Sequence, residues 1–227
     1  MFAPITGTIF YLYVSALLEH SFCNKKYDNI IYPNFIYYFS IFHNSALTLF
    51  SLYTFVSLYK VLLIQGIHGE HRFYMSQPHI KTIVYWFYIS KYYEYFDTFL
   101  LYCKGRKPIF LQKYHHIGAV ICWHLGYSYD VDMFMFGSLF NSGVHTVMYF
   151  YYLMTIFKIN IKSMRMYITI SQILQLTSGS ILGAVCYRPP NETIFNYRII
   201  IIFNMYIYGL LCLFLKFMLD NYIPNNR

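Results

Sequence analysis

The stretch IFLQKYHHIGAVICWHLGY, residues 109–127, is apolar over the length of a membrane helix but contains Gln112, His115 and His116 near its start. A helix needs about 20 mostly apolar residues to cross the hydrocarbon core. Ionisable side chains are costly there, and those that persist usually face a bundle interior or an aqueous cavity. The stretch therefore predicts a membrane helix with a buried polar face.

The composition also indicates a membrane protein. Of the 227 residues, 58% are hydrophobic and 11% are charged, and the mean hydropathy is +0.40. Soluble domains carry about a quarter charged residues. The connecting segments are too short for a nucleic-acid-binding module. The net charge of +8 therefore predicts contact with anionic membrane lipids and no nucleic-acid partner.

Seven segments have the length and apolar character of membrane-spanning helices. The chain is therefore predicted to be an all-α, polytopic membrane protein with a single transmembrane domain, residues 1–227. The second span is unusually long, and we expect it to include an interfacial turn. The predicted spans are residues 5–22, 35–64, 80–103, 109–127, 133–157, 164–187 and 195–219.

Basic residues predict the orientation, because cytosolic loops of membrane proteins are enriched in Lys and Arg. Seven spans place the termini on opposite sides, and the span ends divide into a set of ten basic residues and a set of four. The larger set predicts a cytosolic C-terminus and a lumenal N-terminus. It consists of Lys25, Lys26, Lys104, Arg106, Lys107, Lys158, Lys162, Arg165, Lys216 and Arg227, against Arg72, Lys81, Arg188 and Arg198.

The third span contains the charged sequence SKYYEYFDT, residues 90–98. Lys91, Glu94 and Thr98 occur at i, i+3 and i+7, so they lie on one helix face. Lys91 and Glu94 can form a buried ion pair within the helix, and a purely structural pair fits this spacing as well as a functional one. Asp97 then needs a partner elsewhere, and we expect a histidine from another helix.

The fourth span has its polar residues on one stripe. Gln112 lies one turn before His115 and His116, and His124 follows two turns later on nearly the same face. A single histidine in a membrane helix most often forms a hydrogen bond to a neighbouring helix. Three histidines within ten residues, close to an acidic helix, favour a role in chemical catalysis.

The fifth and sixth spans each have one polar face. Asn141, His145 and Tyr149 recur every four residues, and Tyr152 continues the stripe. Asn141 is placed to hydrogen-bond an imidazole nitrogen and so select its tautomer. On the sixth span the polar face suits helix packing as well as ligand binding, and it consists of Thr169, Gln172 and Gln175.

Clustered buried histidines allow two chemistries. Imidazole binds iron, zinc and copper, but adjacent residues on a helix diverge by about 100°, so His115 and His116 rarely share one ion. The histidines of the first two spans and their loops, His43 among them, are too scattered to complete a metal site. The second chemistry is favoured: a neutral imidazole attacks an activated acyl group and carries it as an acyl-imidazole. A dry site protects that intermediate from hydrolysis.

Four motifs follow one another over residues 86–176. They are Lys91-x-x-Glu94-x-x-Asp97-Thr98, Gln112-x-x-His115-His116, Asn141-x-x-x-His145-x-x-Met148-Tyr149-x-Tyr151-Tyr152 and Thr169-x-x-Gln172-x-x-Gln175. In this order and at these spacings they resemble the fatty acid elongases of the ELO type, which are very-long-chain 3-oxoacyl-CoA synthases. The resemblance extends more loosely to the whole chain through its seven spans.

The resemblance implies an acyltransferase of fatty acid biosynthesis in the endoplasmic reticulum membrane. Such an enzyme condenses an acyl-CoA with malonyl-CoA to a 3-oxoacyl-CoA two carbons longer, releasing CO2 and CoA, in a tunnel enclosed by six helices. By position in the motifs, His115 takes the acyl group, His145 lies opposite and His116 supports them. Substrate-binding or supporting roles fall to Lys91, Glu94, Asp97, Thr98, Gln112, Asn141, Tyr149, Tyr152, Gln172 and Gln175.

The resemblance also has implications for cofactors, partner enzymes and the acyl substrate. No metal and no cofactor are expected, because reduction and dehydration belong to a ketoreductase, a dehydratase and an enoyl reductase. The sequences ISKYYEYFDT and ITISQILQ resemble the branch that extends saturated and monounsaturated long chains. The exact acyl chain, the oligomeric state (a homodimer is one alternative), the retention signal and glycosylation of Asn191 are left open.

One position departs from the family pattern. The histidine box of the family normally begins with histidine, whereas this chain has Gln112. Glutamine donates and accepts hydrogen bonds but neither takes up a catalytic proton nor binds a metal well. The alternatives are an elongase that lost activity at Gln112, a seven-helix receptor or transporter, and a membrane di-iron oxidase.

Overall fold

The computed structural model describes residues 2–23 and 33–222, and these residues are helical apart from their connections. Predicted basic residues Lys25, Lys26 and Arg227 lie outside the described residues. The helices are α1 (Phe2–Leu18), which continues as a π-helical turn (Glu19–Cys23), α2 (Pro33–Gln65), α3 (Pro78–Tyr93), α4 (Tyr95–Cys103), α5 (Phe110–Ser128), α6 (Met133–Ile156), α7 (Met164–Val185) and α8 (Ile194–Tyr222).

Local sequence explains where several helices begin and end. α3 starts at Pro78, where a missing backbone N–H costs nothing. α4 ends in a Schellman motif: Gly105 has φ +68°, its N–H donates to Tyr102, and the N–H of Arg106 donates to Leu101 at 2.9 Å. α5 and α6 end in the same way, with Asp130 and Lys158 in the left-handed region. These motifs fix the direction in which the connecting segments leave.

Within the described residues, four helical segments are long and apolar enough, by length and composition, to cross a membrane. They are Phe2–Cys23, Pro33–Gln65, Met164–Val185 and Ile194–Tyr222. Large apolar side chains such as Leu49, Ile64 and Met205 are exposed on them, as lipid contact requires. The chain is thus a multi-pass membrane protein, while membrane crossing by the three predicted spans between α2 and α7 stays a prediction.

Two predicted spans differ from the helices that form. The second span was expected to include an interfacial turn, but α2 is continuous over 33 residues, about 50 Å at 1.5 Å per residue. The third span is not one helix, because it is interrupted at Glu94 between α3 and α4. There the N–H of Asp97 donates to the Glu94 carbonyl at 3.0 Å, a bond to the third residue back that tightens the turn.

The helices pack side by side into a closed ring. α2 contacts α6, α6 contacts α7, α7 contacts α8, and α8 contacts α5; α3 and α4 close the ring between α5 and α2. α1 lies outside the ring, against α4 and α5. Six consecutive segments, with α3 and α4 counted as one, therefore surround a common interior.

Candidate active site

A cavity of about 740 Å³ lies inside the ring, with lining residues from α2 and from α4 to α8. One end, the basic end, has Lys104, Arg106 and Arg165 in its lining, and both arginines are exposed. The other end, the closed end, is lined by side chains that are at most 5% exposed. These are Trp123, Met133, Phe136 and Phe203.

Three of the predicted histidines meet in this cavity. His115 and His116 come from α5 and His145 from α6, and all three line it. The ring centroid of His115 lies 6.1 Å from that of His145 and 5.4 Å from that of His116. His115 is half-buried, whereas His116 and His145 are buried. His115 is therefore the most accessible imidazole of the three.

A buried ion pair supports this group from behind the cavity wall. Lys91 Nζ donates to Glu94 Oε1 at 2.7 Å and to Asn141 Oδ1 at 2.8 Å, and it lies 4.0 Å from the centre of the Phe87 ring. Glu94 Oε1 is 3.5 Å from His145 Nδ1. The Lys91–Glu94 pair forms as predicted. Asn141 was expected to bond an imidazole, but its carbonyl oxygen accepts from Lys91.

Asp97 has partners on two other helices. Its Oδ1 lies 2.8 Å from Nε2 of His43, and Tyr149 Oη donates to its Oδ2 at 2.7 Å. A histidine partner for Asp97 was predicted and is confirmed. That partner is His43, which was set aside from the sequence because it belongs to no cluster along the chain.

Within the described residues, Gln112 forms no hydrogen bond to His115 or His116. Its Nε2 donates to Thr98 Oγ1 at 3.3 Å, and Tyr11 Oη lies 3.1 Å from the same oxygen. His116 is instead held by aromatic edges, since its ring centroid lies 6.2 Å from those of Tyr11 and Tyr95. Gln112 thus joins α5 to α4.

His124 does not belong to the site. Its Nδ1 lies 3.1 Å from the hydroxyl oxygen of Tyr88, and it is not among the residues lining the cavity. His124 follows His116 by eight residues, which at about 100° per residue is about 80° beyond two full turns. This rotation, together with the placement of α3, turns the residue away from the ring interior.

α7 contributes a polar strip to the cavity wall. Thr169, Gln172 and Gln175 all line the cavity, as does Tyr152 from α6, which is 41% exposed. Gln172 Nε2 makes a contact of 3.5 Å with the sulfur of Met148. Oε1 of Gln175 is buried without a hydrogen-bond partner. These amides are therefore available to a polar ligand.

Tyr206 of α8 was missed by the sequence analysis. Its hydroxyl donates to the backbone carbonyl of His115 at 3.0 Å, and its ring fills the space where Gly118 lacks a Cβ. A side chain on Gly118 would collide with that ring. Nothing in the apolar sequence of α8 marks Tyr206, so only the packing reveals that it fixes the backbone beneath His115.

Two of the three cations of the basic end flank the glycine of the Schellman motif after α4. Lys104 and Arg106 flank Gly105, and Arg165 comes from the start of α7. Burial, and then the positive charge of Arg106, lower the pKa of the Lys104 ammonium. A bound anion would relieve this repulsion. The three residues thus supply the basic end with cations of the kind that pair with phosphate groups.

Within residues 2–23 and 33–222, no group of three or more His, Cys, Asp and Glu side chains could hold a metal ion. His115, His116 and His145 approach one another through their rings, and the carboxylates near them bond Lys91, His43 and Tyr149. The imidazoles of the described site thus contact one another and other protein side chains.

The fold and the site together define a class of protein, a multi-pass helical membrane protein with a buried histidine site. The model of the GNS1/SUR4 (ELO) family matches residues 1–227, and the chain belongs to this family. It is 31% identical to fatty acid elongase sre1 of Dictyostelium discoideum, over 99% of this chain and 85% of that protein.

Two further relatives are similar over a smaller part of their length. Very long chain fatty acid elongase 4 of Trypanosoma cruzi is 29% identical over 77% of this chain and 62% of its own. Human very long chain fatty acid elongase 6 is 31% identical over 74% of this chain and 65% of its own.

Proposed function

We propose that this protein is the condensing enzyme of fatty acid elongation. It joins an acyl-CoA to malonyl-CoA and releases a 3-oxoacyl-CoA two carbons longer, CO2 and CoA. The observation that carries the proposal is the meeting of His115, His116 and His145 in a cavity with one basic and one apolar end. The family names of its relatives support the same role.

The shape of the cavity suits an acyl-CoA. Lys104, Arg106 and Arg165 at the basic end would pair with the CoA phosphates. The acyl chain would extend past His115 towards the closed end, where apolar side chains replace water around it. The preferred chains are saturated or monounsaturated and long. The thioester carbon then lies beside His115, between the two ends.

The first step is acyl transfer. A ring nitrogen of His115 attacks the thioester carbon, the C–S bond breaks, and the departing thiolate takes the imidazole proton to leave as CoA. His145 lies opposite His115, and Asn141 and Lys91 are hydrogen-bonded to each other behind it. This framework is already ordered before malonyl-CoA binds. The apolar surroundings keep water from the acyl-imidazole.

The second step is decarboxylative condensation. Malonyl-CoA loses CO2, and the resulting enolate attacks the acyl carbon, so that the C–N bond to His115 breaks. The imidazole takes up one proton, and the complete reaction therefore consumes one proton. We assign the hydrogen bond to the enolate oxygen to His145, whose ring centre lies 6.1 Å from that of His115. No cofactor is required, and partner enzymes carry out the later reduction and dehydration.

The proposal extends to location. The chain lies in the endoplasmic reticulum membrane with its C-terminus and basic end cytosolic, where soluble CoA thioesters are available. Seven membrane spans and a ring used as a substrate tunnel complete this topology. The basic residues at the ends of α4, α6 and α7 support it, because Lys and Arg are enriched on the cytosolic side.

The test is product formation in membranes containing the protein. Acyl-CoA of graded chain lengths and labelled malonyl-CoA, without a reductant, should yield 3-oxoacyl-CoA. His115→Ala should lower the rate by at least about 1000-fold, since the covalent route is lost. His124→Ala is the matched control and should retain the wild-type rate, because this histidine of the same helix bonds Tyr88 away from the cavity.

Other outcomes would point to the alternatives. Full activity of His115→Ala would remove the acyl-imidazole step. Product only from Gln112→His would identify an elongase that lost activity at this position. Ligand-dependent signalling or flux without any condensation product would favour a receptor or transporter, and stoichiometric iron in the purified protein would favour an oxidase.

A further inference from the structure

A histidine–carboxylate pair outside the sequence motifs lies on the wall of the cavity. His43, from the first half of α2, is 0% exposed, and its Nε2 lies 2.8 Å from Oδ1 of Asp97. Both residues line the cavity. The pair joins α2 to α4 at the level of the clustered histidines.

The other hydrogen-bond partner of Asp97 guides the assignment of this bond. Tyr149 Oη donates to Oδ2 of Asp97 at 2.7 Å, so each carboxylate oxygen has one donor. A carboxylate accepts hydrogen bonds, so this bond is assigned with the Nε2–H of His43 as its donor. Asp97 is thus held between α2 and α6 by two donors.

The pair reaches the proposed reaction centre through Tyr149. The Tyr149 ring meets the His145 ring edge-on, with centroids 5.4 Å apart and planes at 85°. On its other side His145 approaches Glu94, at 3.5 Å from Nδ1 to Oε1. Glu94 thus lies beside His145, whereas Asp97 is linked to His145 only through Tyr149.

Packing alone does not account for a histidine at position 43. Its neighbours Phe39 and Tyr93 are aromatic, and its Nδ1 is buried without a hydrogen-bond partner. A buried polar atom left unpaired costs free energy that an apolar side chain of the same size avoids. What the imidazole adds is the donor to Asp97.

We propose that His43 is a positioning residue for the condensation reaction. It holds Asp97 so that the Tyr149 hydroxyl, and with it the Tyr149 ring, keeps His145 facing His115. It acts through Asp97 and Tyr149 and does not contact the substrate. The inference rests on the proposed function, since it gives His43 a part in that reaction.

The experiment compares two substitutions of similar length and shape. His43→Gln keeps an N–H donor that can reach Asp97, whereas His43→Met removes it. His43→Met should lower kcat about 10- to 100-fold, as a misplaced catalytic group does, and leave KM for both CoA substrates within about threefold. His43→Gln should restore kcat to within about threefold of wild type. Both rates are normalised to folded protein, and Tm is measured for each variant.

A second variant covers the case in which His43→Met does not fold. Tyr149→Phe keeps the ring but removes the donor to the other oxygen of Asp97, and it should lower kcat with little change in KM. Where His43→Met does fold, Tyr149→Phe combined with it should be no more than about threefold slower than the slower single variant, because both residues act through Asp97.

Several results would overturn the inference. Wild-type kcat in His43→Met, equal losses in the Gln and Met variants, or multiplicative losses in the double variant would each do so while the wild type makes 3-oxoacyl-CoA. No product from the wild type would instead refute the proposed function, and the role of His43 with it.

Discussion

Lys91 and Glu94 illustrate how charges persist inside this helical ring. They are 1% and 2% exposed, and each is desolvated on forming the 2.7 Å contact. Asn141 and the Phe87 ring provide Lys91 with a second acceptor and a cation–π surface. Desolvation offsets much of the attraction in such a pair, so its value lies in the geometry it imposes near His145.

Removing one member of the Lys91–Glu94 pair should strongly destabilise the protein. We expect Lys91→Met to destabilise the protein by about 3–5 kcal/mol, because Glu94 is left as an unpaired buried charge. Lys91→Met with Glu94→Gln should recover much of that loss, since the charge is removed. Thermal unfolding in detergent measures both. A double variant no more stable than Lys91→Met would show that the unpaired charge is not the cause.

Gln112 is a second residue whose role is clear from its contacts. Its amide donates to Thr98 Oγ1 on α4, and Tyr11 of α1 reaches the same hydroxyl. The first position of the histidine box is thus occupied by a hydrogen bond between helices. If the proposed condensation reaction takes place, it requires neither a metal nor a third titrating imidazole at this position.

At the scale of the element, α7 forms one wall of the cavity over most of its length. Gln172 and Gln175 line its middle, and Gly179 lies one turn further towards the closed end. A Cβ on Gly179 would have no heavy atom within 4 Å. A larger side chain at this position would therefore project into the cavity without displacing the helix.

That geometry predicts control of acyl length. Gly179→Phe should shorten the longest acyl-CoA extended, because the ring occupies space that the chain would use, while shorter acyl-CoAs retain activity within about threefold. Gly179→Ala is the control, since a methyl group meets no neighbour. The measurement is the rate across an acyl-CoA series. An unchanged profile would place the acyl chain elsewhere.

At the scale of the whole molecule, hydrogen bonds join three connecting segments on the side of the ring that holds the closed end of the cavity. The Asp132 carboxylate, 0% exposed, accepts from the N–H of Met75 at 2.7 Å and of Tyr74 at 3.2 Å. Tyr187 Oη donates to the carbonyl of His68 at 2.7 Å. These bonds join the α2–α3, α5–α6 and α7–α8 connections.

The Asp132 contact makes stability dependent on pH. Burial raises the pKa of its carboxyl to about 6, although backbone N–H groups donate to it. The folded state thus holds this proton more tightly than the unfolded state does. Its contribution to the free energy of unfolding is greatest below about pH 4. It declines as pH rises through about 6, by about 3 kcal/mol at most.

Asp132→Asn removes this titration and supplies the comparison. The Tm of the wild type should fall relative to that of Asp132→Asn as the pH is raised from about 4.5 to 7, and the difference should level off above pH 7. Thermal unfolding of both proteins across this range is the measurement. A Tm difference that stays constant would show that Asp132 keeps its ordinary pKa.

Much of the site could be predicted because helical spacing is local. Lys91 and Glu94 are three residues apart, and their pairing followed from the turn that joins them. The inward faces of α5, α6 and α7 followed in the same way from residues three or four apart. Where a prediction depended on the orientation of a neighbouring helix, it was less secure: His124 turns away, and Asn141 bonds Lys91.

The sequence by itself determined most of the helices, their polar faces and the family, because hydropathy and helical spacing act over a few turns. Only the tertiary structure decided which polar atoms pair across the ring. His43 and Asp97 are 54 residues apart, and Lys91 and Asn141 are 50 apart. A buried polar atom takes the partner that helix packing brings within about 3 Å, and that choice depends on how whole helices pack.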